Sequence, residues 1–100
     1  MIVGNMIGSY NNTIKIAEIN LLAANWEGEA SPYSQKVVID GITPYSQVDI
    51  TPSFIQLDEF YNKDLAFVTE NDNGVVTVYV IGDKPRNDHT MQVTITEVSV

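Results

Sequence analysis

The chain has no cysteine, so it forms no disulfide and offers no thiolate to a metal, and disulfide content gives no indication of compartment. Cationic side chains are scarce. Five Lys and Arg face thirteen Asp and Glu, a formal net charge of -8, and the acids are scattered singly. A field of that sign repels phosphates and anionic headgroups, which argues against nucleic acid and membrane surfaces as partners. No apolar run approaches the roughly 20 residues of a bilayer-spanning helix. The first eight residues lack a basic segment followed by an adequate apolar stretch, so an unprocessed start without a signal peptide is expected.

The vocabulary of catalysis is thin as well. The single histidine, His89, leaves a zinc site dependent on carboxylates. Its neighbour Asp88 points to the opposite side of an extended chain, and Asp83 is the other acid close in sequence. Serines stand at 9, 31, 34, 46, 53 and 99 without a Gly-x-Ser-x-Gly elbow. No glycine loop cradles a phosphate. Glu27, Glu29, Asp58 and Glu59 could in principle be paired for glycoside hydrolysis, but a domain of this size has little room for such a cleft. Glu70, Asp72 and Asn73 resemble a fragment of an acidic calcium loop without its distal bidentate glutamate. Expected, therefore, are no enzymatic activity, no metal and no cofactor.

What the chain does have is alternation. Period-two stretches recur at Ile14 to Leu22, Val37-Val38-Ile39, Val48-Asp49-Ile50, Leu65 to Val68, Val75 to Ile81 and Met91 to Thr96, rich in β-branched residues. In the last of these Met91, Val93 and Ile95 share one face with Glu97, while Gln92, Thr94 and Thr96 share the other. Turn chemistry separates the stretches. Asn71-Asp72-Asn73-Gly74 predicts a hairpin, Asp40-Gly41 another turn, and Gly82 to Asp88 a longer link in which Pro85 ends ladder pairing. One hundred residues suffice for a single core, with roughly 65% of the extended-chain surface buried on folding. The fold class expected is all-β: an Ig-like or Greek-key β-sandwich of about six to eight short strands over residues 11–100, preceded by an N-terminal arm at 1–10.

One segment departs from period two. Phe54, Leu57, Phe60 and Tyr61 stand at helical spacing, so a short helix is expected near residues 53–62. Ser53 and Gln56 have the spacing of a capping box, Thr51 is the alternative cap, and Pro52 suits the first turn. The helix is expected to plug one open end of the sandwich with Phe54, Leu57 and Phe60.

The sequence also echoes itself. Ser31-Pro-Tyr-Ser-Gln35 returns twelve residues later as Thr43-Pro-Tyr-Ser-Gln47, two similar entries into strands. Tyr33 and Tyr45 could flank Trp26 on one rim, forming a binding patch for a sugar or a protein. The alternative for Trp26 is a cap on the core. Ile2, Val3, Met6 and Ile7, in the glycine-punctuated start of the chain, are candidate assembly residues.

The order of these elements resembles a small β-domain of bacteriophage and prophage structural proteins, of the tail-fibre, baseplate or head-appendage type. The features that carry the resemblance are Leu21 to Ala24, Trp26, Pro32-Tyr33-Ser34-Gln35, Val37-Val38-Ile39, Gly41-Ile42-Thr43, Val48 to Pro52, the hairpin within Leu65 to Ile81, Lys84-Pro85 and Val93 to Val98. They span about four fifths of the chain. An acidic, helix-like insert around Asp58-Glu59 departs from the pattern. The resemblance implies a non-enzymatic structural or accessory subunit of a virion, a head decoration, head fibre, tail or baseplate protein, assembled in the cytoplasm of a bacterial host. Its implied partners are capsid, tail or baseplate proteins and copies of itself, with a trimer expected, together with a glycan of the host surface during attachment. A carbohydrate-binding module using the same aromatics, and an Ig-like spacer without ligand, are the alternatives.

Overall fold

The computed structural model describes the backbone of residues 11–99 and the side chains of residues 13–97. Six strands, β1 (Asn11–Leu21), β2 (Tyr33–Val37), β3 (Gln47–Ile50), β4 (Ala66–Asp72), β5 (Val75–Ile81) and β6 (His89–Ser99), accompany one helix, α1 (Phe54–Asn62), and a single 3-10 turn at Ala23–Asn25. They form two three-stranded antiparallel sheets, ordered β1-β6-β3 and β2-β5-β4. The domain is thus an all-β, sandwich-like unit with one short helix. Of the five links between consecutive strands, only the β4–β5 hairpin stays within a sheet.

Burial follows the pleat. In β5, Val76, Val78 and Val80 are buried, while Val75 and Ile81 are exposed. Facing them from the other sheet are Ile19 and Leu21 of β1, Val48 of β3 and Met91, Val93 and Ile95 of β6. A fully buried aliphatic side chain of this kind contributes about 1.5 to 3 kcal/mol, so these two facing rows hold the sheets together. The hairpin forms where Asn73 and Gly74 accept positive φ, and the Asn71 side chain takes the Gly74 N–H at 2.9 Å.

The two seams between the sheets are closed by polar side chains. On one side the Gln35 amide bonds Leu22 twice, accepting from its N–H at 3.2 Å and donating to its carbonyl at 3.1 Å. Beside it, Glu27 and Ser34 exchange backbone hydrogen bonds. On the other side Thr69 Oγ1 donates to the Val48 carbonyl, and Asn71 Nδ2 donates to the carbonyls of Thr43 and Ser46 at 2.9 and 2.8 Å. Ser46 Oγ accepts from the Thr43 N–H and donates to Glu97 at 2.6 Å. Glu97 therefore ends the inward face of β6 as a hydrogen-bonded group at the seam.

Two expectations are corrected. The second strand begins at Tyr33 and ends at Val37, so the Pro-Tyr turn is already strand and Val38 is almost fully exposed. The helix forms with the capping box between Ser53 and Gln56, but it does not plug the sandwich with three aromatic and aliphatic residues. Only Phe60 is buried; Phe54 is 85% exposed and Leu57 also faces outward. The reason is contact from one flank only: Phe60 packs on Phe67 of β4 at 4.7 Å between ring centroids and edge-on against His89 at 5.3 Å. Nothing among the described residues covers the remaining faces of α1.

Candidate functional site

The three aromatic residues expected to share a rim lie in different places. Trp26 is 4% exposed and packs against Phe67 at 6.1 Å, inside the core. The 3-10 turn at Ala23–Asn25 reverses the chain, and the bridge between Glu27 and Ser34 then sends Glu27 outward and Trp26 inward. Its indole is not available for stacking on a ligand, and Nε1 has no acceptor among the described residues. Tyr33 is half-buried on β2, with Lys84 Nζ 5.6 Å from the centre of its ring. Tyr45 precedes β3 in the other sheet and is 86% exposed. The candidate assembly residues Ile2, Val3, Met6 and Ile7 lie outside the described residues. The acidic turn at Glu70 to Asn73 spends Asn71 on the hairpin, and Glu70 approaches the Tyr79 hydroxyl at 3.5 Å. Among the described residues no three His, Cys, Asp or Glu side chains converge as metal ligands, and no helix is long and apolar enough to cross a membrane.

Two surfaces that patterning did not single out flank α1. The first is apolar. The helix presents Phe54, Ile55, Leu57 and Tyr61 to solvent, with Tyr61 79% exposed. Between its inner edge and the strands runs a groove of about 360 Å³ lined by Ile50, Leu57, Phe60, Tyr61, Phe67 and Met91. The spacing of Phe54, Leu57 and Tyr61 was visible in the sequence, but spacing alone does not say whether the face is covered.

The second surface is a concavity of about 620 Å³ at the C-terminal end of α1, lined by Lys63, Asp83, Lys84, Pro85, Arg86 and His89 among others. Its construction follows from one glycine. Gly82, at φ +119°, begins the β5–β6 link, and a Cβ there would stand 2.6 Å from the Asp64 carbonyl oxygen. Only a residue without a side chain lets the link pass this close to the end of the helix. The Gly82 N–H donates to Ser31 Oγ at 3.0 Å, and Pro85 is buried. The link is thereby fixed so that Lys84 and Arg86 face Lys63, which terminates α1 and pairs with Glu59 at 3.1 Å. The carbonyl end of a helix favours a cation at that position. On the link's far side, Asp88 accepts from the Ala23 N–H at 2.7 Å.

Comparison with protein-family models, with curated proteins and with solved structures returned no match to this chain.

Proposed function

We propose that this protein is a non-enzymatic structural or accessory subunit of a phage or prophage particle, and that it works by docking α1 onto a neighbouring copy of itself. The observation that carries the docking is the outward display of Phe54, Ile55, Leu57 and Tyr61 on a helix that buries only Phe60. An apolar display of this extent on one short helix is costly in water, at about 25 cal/mol per Å² left uncovered, and Phe54, Leu57 and Tyr61, which share a helical face, are the kind of surface that marks an interaction. The order of turn signatures from Leu21 to Val98 supports the particle assignment.

The occupant is a second copy of this chain: an apolar face carried by every copy is buried when copies close into a symmetric oligomer of the kind expected for a virion part, and Ile2, Val3, Met6 and Ile7 are further apolar candidates for that assembly. Light scattering after size exclusion tests this on the full chain. A concentration-independent trimer that loses mass on removal of residues 1–8, or on the double change Phe54→Ser and Tyr61→Ser, supports the reading. A monomer at every concentration overturns the self-docking.

A further inference from the structure

We infer that the concavity between the end of α1 and the β5–β6 link is a binding site for a small ligand bearing an oxyanion, a carboxylate or phosphate on a frame of roughly mono- to disaccharide size. The inference stands apart from the assembly reading, because it uses neither the apolar face of α1 nor residues 1–10.

Charge placement is the first argument. The chain has only five Lys and Arg residues and a formal net charge of -8. Three of those five, Lys63, Lys84 and Arg86, line this one concavity together with the only histidine. The other two, Lys15 and Lys36, are on β1 and β2. Against the three cations the lining sets one acid, Asp83, and Glu59 stands beside Lys63. Within the lining itself cations outnumber acids three to one, with Asp64 and Asp88 next to it in the chain.

Pairing is the second argument. Among the described residues the one ion pair is Lys63 with Glu59; Lys84 and Arg86, like Lys15 and Lys36 elsewhere, have no carboxylate within 4 Å, so both are available to a ligand. Lys84 instead rests over the Tyr33 ring, which holds its ammonium at the rim without neutralising it. An unpaired guanidinium offers the fork geometry that carboxylate and phosphate groups match bidentately.

Shape and support are the third. The link that carries Lys84 and Arg86 is anchored by buried Pro85, by the close approach of Gly82 to Asp64 and by the Gly82 bond to Ser31. His89 is held half-buried by edge contacts to Phe60 and Phe67, at 5.3 and 6.3 Å between centroids. The volume of about 620 Å³ lies within the range of small-molecule sites, and Leu65 and Pro85 add apolar surface for the uncharged face of a ring. Size also follows from the electrostatics. The attractive field fades over roughly 8 Å at physiological salt, beyond which a long polyanion meets the acidic remainder of the surface.

Titration of the full-length protein followed by amide NMR tests the site, with D-glucuronate, glucose 6-phosphate and glucose as the three probes. The expected result is saturable shifts at residues 63, 83–87 and 89 with one or both anionic probes, a Kd of about 1 mM, and no saturable shift with glucose. The stronger of the two anionic probes identifies the oxyanion. Arg86→Ala and Lys84→Ala each weaken binding about five- to tenfold, whereas Lys36→Ala, a cation on another strand, leaves it unchanged. All three side chains are exposed, so the variants fold. Absence of saturable shifts up to about 50 mM, equal binding of glucose, or an equal effect of Lys36→Ala overturns the site.

Discussion

The two copies of Pro-Tyr-Ser-Gln in this chain have the same four residues and opposite orientations. In the first, Gln35 is buried and Tyr33 half-buried, while Lys36 points out. In the second, Ser46 and Val48 are buried, and Tyr45 and Gln47 point out. The motif has flipped faces between its copies. Because side chains alternate along a strand, a one-residue change in which position faces the core inverts every member of the segment. Each copy still closes one seam between the sheets, but with a different residue. Gln35 does so through Leu22, and Ser46 through Thr43, Glu97 and Asn71. Identity of sequence over four residues therefore conferred the same location, a seam, but not the same chemistry.

Substitutions made in parallel at the two copies measure that asymmetry, with urea denaturation as the readout. The largest effect is expected at Gln35→Ala, which removes both bonds to Leu22 and leaves a gap at the seam, a loss of about 3 kcal/mol. Tyr33→Ala follows at about 2 kcal/mol, since it strips a half-buried ring and the support under Lys84. Ser46→Ala costs about 1.5 kcal/mol through the lost bonds to Glu97 and Thr43. The exposed counterparts Tyr45→Ala and Gln47→Ala are expected to stay within about 0.5 kcal/mol. Equal losses at Tyr33 and Tyr45 would break the comparison, because they would mean that both rings face the core.

The flip was not legible in the sequence: the first copy is followed by two adjacent valines of opposite parity, half-buried Val37 and exposed Val38, whereas Gln47 directly precedes the single, buried Val48. The hairpin at Asn73-Gly74 and the capping box of Ser53 and Gln56 were readable, since each depends on residues three or four apart. Trp26 was harder. Its neighbours Asn25 and Glu27 read as loop, and the bridge that turns the indole inward joins Glu27 to Ser34, seven residues further on. The cationic concavity was hardest, because its members come from the end of α1 and the β5–β6 link, and each lysine or arginine alone is an ordinary surface charge.

By itself, the sequence determined the all-β class, the strand alternation, the helix and its cap, and the excess of acid, all of which arise from composition and from contacts within a few residues. Tertiary structure alone decided which face of each segment was covered, that Trp26 belongs to the core, that α1 keeps its apolar side outward, and that Lys63 meets Lys84 and Arg86 around one concavity. Those outcomes depend on segments far apart in the chain being brought together, and neither propensity nor periodicity encodes the partner a surface will meet.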